Sequence, residues 1–182
     1  MSKQYEIRLS GSGGQGLILA GIILARAAVI EKRRTTQTQS YGPESRGGYS
    51  RADVIISDSE IYFPEATSFD CLLALTQEAC DVYLYDLKEK GVLIVDTTFV
   101  KNLSMSAENT YEVPFTEIAQ EKLGSPITTN IMSLAFMVKI TGVVKEESLK
   151  KAIEQSVKPA FFALNLKAME LGFELALKHK SK

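Results

Sequence analysis

In the opening YEIRLS, Tyr5, Ile7 and Leu9 are apolar and the residues between them polar, the two-residue period of a strand with one buried face. After a glycine-rich turn comes LILAGIILARAAVIEKR, rich in Leu, Ile and Ala and too long for one strand. It predicts a helix over about 16–32, apolar nearly all round and therefore deeply covered. Gly21 weakens its helix propensity and, with Ala20 and Ala25, predicts close packing against a sheet. TTQTQS is β-prone but polar, YGPESRGG is a loop, and SRADVIIS is strand-like. SDSE then reads as a hairpin turn leading to IYF.

Further along, DCLLALT predicts a buried strand, QEACDVYLYDLKEK a helix closed by Gly91, and VLIVDT another buried strand. Thr116 is placed to cap EIAQEKL, which stops at Gly124; NIMSLAFMVKIT and the amphipathic KEESLKKAIEQSV follow as helices. Asn130, opening the first of these, reads as an N-cap. The last helix starts at Pro159, and Phe161, Leu164, Ala168, Leu171 and Leu175 recur at helical spacing. Strand–helix–strand alternation predicts a three-layer α/β/α fold with a mostly parallel, mixed sheet and a helical C-terminal third. No repeat or linker divides the chain, so residues 1–182 are expected to form a single domain.

Composition narrows the chemistry. A chain 45% apolar with a net charge of −1 has no electrostatic footprint for nucleic acid. The start carries no signal-peptide pattern, and no apolar run reaches the roughly 20 residues of a membrane span. The expectation is a cytoplasmic protein with no membrane partner. Cys71 and Cys80, too far apart for a CxxC pair, read as buried or half-buried free thiols. The single histidine, His179, lies in the charged LKHKSK, read as a flexible tail. Two cysteines and one histidine cannot by themselves make a four-thiolate cluster or a histidine-rich metal site.

GSGGQG, between a strand and a helix, would aim backbone N–H groups and a helix dipole at an anion; equally, Gly11, Gly13, Gly14 and Gly16 could serve only tight turning and close packing. A dinucleotide site would want an acid at the end of the second strand, and the nearest, Glu31, is still at the helix end. Arg33 and Arg34, candidates for a 2′-phosphate, read better as answering the helix dipole. No Gly-Lys-Ser/Thr closes a P-loop, and no GxSxG elbow or well-placed histidine supports nucleophilic catalysis. Asp58, Glu60, Asp70 and Asp96 fall on separate elements. The residues point to a binding surface.

Taken together, GSGGQGLILAGIILARAA, TQSYGPESRGGYSRADVIISDSEI, FDCLLAL, GVLIVDTTFV, PFTEIAQEKLGSPITTNIMSLAFM and NLKAMELGFELA resemble the gamma subunit of the 2-oxoacid:ferredoxin oxidoreductases, most like the 2-oxoglutarate type, from about residue 5 to 177. The resemblance implies a multisubunit enzyme of anaerobic metabolism that oxidatively decarboxylates a 2-oxoacid, transfers the acyl group to coenzyme A and reduces ferredoxin or a similar acceptor. It also implies that thiamine diphosphate, Mg²⁺ and iron–sulfur clusters belong mainly to companion subunits, with no cofactor held tightly here and no catalytic residue in this chain. This subunit's role would be assembly and help in holding coenzyme A. Backbone N–H groups of Gly11 to Gly16, the Gln15 amide, and Arg46 flanked by Gly47 and Gly48 are the residues to consider for its phosphates, with Arg51 a second choice. An ion pair is the rival role for Arg46; Ser40, Tyr41 and Glu44 read as loop-ordering or neighbour-contacting residues, and exposed IYFP text hints at an interface.

Overall fold

The computed structural model describes residues 4–41, 49–105 and 107–180 and arranges them about one six-stranded sheet. Its strands are β1 (Gln4–Ser12), β2 (Arg34–Tyr41), β3 (Tyr49–Ser57), β4 (Phe69–Ala74), β5 (Leu87–Asp96) and β6 (Asn109–Val113), in the order β2-β3-β1-β4-β5-β6. From β1 to β6 the pairing is parallel, while β3 runs antiparallel to both β1 and β2. The helices are α1 (Leu17–Ile30), α2 (Gln77–Tyr83), α3 (Phe115–Leu123), α4 (Thr129–Thr141), α5 (Glu146–Ser156) and α6 (Pro159–Lys180). The three-layer α/β/α architecture with a mixed sheet and a helical C-terminal third is the one expected.

The two faces of the sheet are covered unequally. Ile7, Leu9, Val54, Ile56, Cys71, Leu73 and Ile94 point into the large core shared with α1 and α3 to α6. Within it α4 is buried at every residue from 129 to 138, all but its last turn, as a helix apolar nearly all round must be. Two small-residue contacts set the spacing of the layers: a Cβ on Gly21 would lie 2.8 Å from Ala52 Cβ, and one on Gly172 of α6 would lie 2.2 Å from the Met132 carbonyl oxygen of α4. Gly21 thus does what its position predicts. The opposite face carries the seven-residue α2, whose Ala79, Cys80 and Tyr83 meet Leu72, Leu93 and Val95 together with Leu84 and Val100, and a small cluster of Ile55, Ala66 and Phe69.

Several local expectations need correction. α1 is not covered all round: Ile22 and Val29 are exposed. QEACDVYLYDLKEK is helical only to Tyr83; a 3-10 turn (Leu84–Asp86) follows and β5 already starts at Leu87. Gly91 therefore sits inside a strand, where pairing jumps from Phe69↔Leu87 to Cys71↔Val92, and marks that irregularity instead of a helix end. SDSE does not make a hairpin: no strand forms between Ser57 and Phe69, and Ile61 packs on the Ile55–Ala66–Phe69 cluster. His179 is no flexible tail, because α6 continues past it and its ring stands edge-on to Phe136 and Tyr111 at 5.6 and 6.2 Å. Among the described residues, no helix is long and apolar enough to cross a membrane.

Candidate functional site

After β1 the chain leaves through α1 toward β2 at one edge, whereas after β3 it departs toward β4 on the other side of β1. The carboxyl end of β1 is thus the switch point of the sheet, where open α/β folds form a crevice. The glycine turn occupies it. Gly14 and Gly16 have φ of 92° and 74°, the left-handed region that other L residues enter only with strain, and Gly16 is the N-cap of α1. Among the described residues no side chain caps this helix, and its first turn carries no acid to answer the positive end of its dipole.

The turn is held from three sides. Gln15 folds back so that its Oε1 accepts the Ser12 N–H at 2.7 Å, and a Cβ on Gly11 would come within 2.3 Å of that oxygen. The Gln15 acceptor is therefore spent on closing the loop, which leaves its Nε2 group as the part able to donate outward. Ser50 Oγ donates to the Ser12 carbonyl at 3.3 Å, and Ser12 is the register partner of Tyr49, so the two loops singled out in the sequence start from the same end of the sheet. Asn130 supplies the third side: its Nδ2 donates to the Gly16 carbonyl at 3.1 Å while its Oδ1 accepts the Ile131 N–H. It is not the N-cap of α4, a place Thr128 takes, but a buried brace between α4 and the glycine turn.

Asn130 also lines a cleft of about 350 Å³ with Leu19 of α1, Ile127, Lys158, Phe161 and Leu164. Nothing in the local sequence announces this cleft, because it arises where the start of α6 passes the start of α4. An uncapped helix N-terminus thus opens beside a mostly apolar groove with one lysine at its rim.

The remaining candidates scatter. Arg46, Gly47, Gly48 and Glu44 lie outside the described residues. Arg51 lies on β3 opposite Ser40 and points to the α2 side, its Nε 3.9 Å from Asp53 and its guanidinium 5.6 Å from the Tyr83 ring. Glu31, Arg33 and Arg34 lie beyond the far end of α1 and bind protein: Glu31 accepts the Lys145 N–H, Arg33 pairs with Asp58 at 2.8 Å, and Arg34 with Glu60 at 2.7 Å. They are unavailable to a nucleotide at the turn, and β3 separates β2 from β1, so the arrangement is not that of a dinucleotide fold.

The carboxylates are likewise engaged. Asp70 accepts the Glu6 N–H and the Lys88 ammonium, both at 2.8 Å. Asp96, fully buried, accepts the Thr98 and Thr116 N–H groups and the Thr116 hydroxyl, which makes Thr116 a partner of Asp96 and not the cap of α3. Cys71 and Cys80 are buried on opposite faces of the sheet, and burial, then the charges of Asp70 and Asp81, pushes both thiols up. Thiols so placed cannot share a cluster, and among the described residues no group of three or more His, Cys, Asp or Glu is arranged to hold a metal ion. The residues described here do not fit an iron–sulfur centre.

The sequence reading missed Arg8. Its polar position on β1 suggested a solvent face, yet it is buried, forked onto Asp53 by two hydrogen bonds of 2.7 Å and stacked on Phe69 and Tyr83 at 4.0 and 4.4 Å. The only signal was an opposite charge inside each of two strand-like runs.

A family model described as pyruvate ferredoxin/flavodoxin oxidoreductase matches residues 6–175. The 2-oxoglutarate synthase subunit KorC of Methanocaldococcus jannaschii is 47% identical over 174 residues, covering 94% of this chain and 93% of that relative. The ketoisovalerate oxidoreductase subunit VorA of Methanothermobacter marburgensis is 33% identical across 97% of this chain, but the match takes in only 37% of VorA. The crystal structure of the keto/oxoacid ferredoxin oxidoreductase gamma subunit from Geobacter sulfurreducens PCA superposes with a TM-score of 0.89 at 49% identity, over 97% of this chain and 98% of that one.

Proposed function

The chain belongs to the pyruvate ferredoxin/flavodoxin oxidoreductase family, as a gamma subunit of the 2-oxoacid:ferredoxin oxidoreductases with relatives of the 2-oxoglutarate type, and we propose that in such a complex it holds part of coenzyme A. The reaction of the complex joins the coenzyme A sulfur to the acyl carbon of a 2-oxoacid. The carboxylate leaves as CO₂, the thiol proton is released and two electrons pass to ferredoxin or a similar acceptor. Thiamine diphosphate, Mg²⁺ and the clusters belong in this reading to companion subunits, and this chain's residues bind and orient. We assign 2-oxoglutarate as the acid because identity to the KorC relative is 47%, against 33% to the ketoisovalerate one. The expected setting is the cytoplasm.

The observation that carries the coenzyme A reading is the junction at Asn130. On one side lies a turn at a helix N-terminus that no described side chain caps, suited to phosphate; on the other, an apolar cleft suited to an aliphatic arm. The backbone of Gly13 to Gly16 and the Gln15 Nε2 would face the anion. Arg46, with Gly47 and Gly48 allowing close approach, would supply a forked cation from the loop that starts beside Ser12.

The test is coenzyme A affinity of the assembled complex carrying Arg46→Ala or Lys158→Glu, measured together with assembly. Weakening of about tenfold, on the scale of one charge-assisted phosphate contact, is expected with assembly intact. Unchanged affinity in both variants, or an Arg46→Ala variant that loses only assembly, would overturn the assignment. Oxidation of a 2-oxoacid by the purified chain alone would remove the accessory-subunit reading itself.

A further inference from the structure

We propose that the α2 side of the sheet, through Tyr62, Phe63 and Tyr85, is the surface that docks onto the companion subunit of the complex. This inference rests on the gamma-subunit reading above and adds the place of contact. Tyr62 is 93% exposed, Phe63 61% and Tyr85 66%. Their segments flank one small cluster: Ile61, next to Tyr62, and Leu87, two residues after Tyr85, both pack on Ile55, Ala66 and Phe69. Phe69, which shares Arg8 with Tyr83 of α2, places this cluster on the thinly covered face of the sheet.

The segment that presents Tyr62 and Phe63 is anchored. Arg33 holds Asp58, Arg34 holds Glu60, the Ser59 N–H donates to Ser57 Oγ at 3.1 Å, and Ala66 is buried. Anchored aromatic rings lose little conformational freedom on binding, which is why they serve as interface anchors. Single apolar residues scattered over a surface need no explanation, but three exposed rings in the segments that flank one satellite cluster do.

The occupant follows from charge and from chain architecture. The exposed charges of this surface are acidic, Glu65 and Asp86 next to the rings in sequence and Glu78 and Asp81 on α2, with Arg51, half-buried, the cation that shares a pocket with Glu65. A second copy would bring the same acidic rim against itself, so the fitting partner has an apolar centre and a basic rim. In VorA the matching region is 37% of the chain, so there this fold shares a polypeptide with a larger neighbour. Where the fold is a separate chain, that neighbour must be held by surface contacts. The companion subunit corresponding to the larger part of such a chain is the occupant.

The experiment co-expresses the chain with its companion subunits and measures association by size-exclusion chromatography and sedimentation. The variants are Tyr62→Ser/Phe63→Ser, Tyr85→Ser, Glu65→Lys, and a control, Val29→Ser, on the helical side. Loss of the anchor rings should weaken association by about tenfold or more. Glu65→Lys should weaken it less, and the control should leave it intact, with melting temperatures of the isolated chains unchanged. Wild-type chain that fails to associate would remove the subunit reading. Wild type and ring variants associating equally would overturn the surface alone, as would an isolated wild-type dimer that the ring variants abolish.

Discussion

Arg8 and Asp53 show how one pair of residues ties two strands. Both side chains are almost wholly out of water, and the forked pairing joins β1 to β3. A buried ion pair adds little net stability over apolar residues of like size, yet removing one partner strands a charge, at about 3–5 kcal/mol. Asp53→Ala should therefore lower the unfolding free energy by about that amount in urea titration, because the ion pair then left to Arg8 among the described residues is with Asp86 at 3.7 Å. Arg8→Met/Asp53→Leu should cost less than Asp53→Ala alone. A double variant as unstable as the sum of the singles would mean that the pair is not coupled.

The thiols give a second test at the same scale. Cys80 is pushed up to about 11 by burial and then by Asp81, and Cys71 is pushed higher still by burial and then by Asp70. A group whose folded value lies above its unfolded one stabilises the fold fully below the unfolded value and loses that contribution as pH rises toward the folded one. Stability should thus be insensitive to the thiols up to about pH 8.5 and fall above it, each contributing up to about 1.4 kcal/mol per pH unit. Cys80→Ala should reduce that slope up to pH about 11 and not beyond, whereas Cys71→Ala should reduce it over the whole alkaline range. A slope unchanged in both variants would show that the thiols are accessible.

Elements whose own residues decide their burial are legible in the sequence. DCLLALT and VLIVDT are apolar on both sides because β4 and β5 are covered on both faces, and the alternation of β1 reports its place in the sheet. β5 was misread at its start because Lys88, Glu89 and Lys90 fall in the irregular stretch between the Phe69↔Leu87 and Cys71↔Val92 pairs, with Lys88 reaching Asp70 and the other two exposed, so that nothing apolar records a strand and the charged residues favour a helix. The glycine turn was legible for the same local reason, whereas Asn130, 114 residues from Gly16, and the cleft it lines depend on how α4 and α6 pack.

That packing has its own marker in Gly172. A side chain there has no room beside the Met132 carbonyl and Ala135. Gly172→Val should push α6 off α4 and cost about 1–3 kcal/mol, as overpacking a filled core does. Gly124→Ala, with open space around a left-handed residue, should cost about 1–2 kcal/mol through backbone strain alone. Chemical denaturation of the two variants, with cleft-side chemical shifts of Phe161 as the readout of α6 position, separates the mechanisms. Displacement in Gly124→Ala, or none in Gly172→Val, would contradict this account.

At the scale of the whole molecule, the sheet has a guarded middle and an open side. β1 and β4 are paired on both edges and lie against the main core, whereas β2 is an edge strand whose Thr38, Gln39 and Ser40 are exposed. Natural edges are blunted by charge, proline or irregularity, and the uncharged TTQTQS of β2 has none of these. Native-state hydrogen exchange on the isolated chain should accordingly find the slowest amides in β1 and β4, and outward-facing amides of β2 exchanging by local opening, independent of denaturant. Protection of β2 equal to that of β1 would mean that the edge is covered. If that protection rose with protein concentration, the cover would be a second copy pairing edge to edge; if it arose only with companion subunits present, the partner surface proposed for the α2 side would extend around β2 to the mouth of the glycine turn.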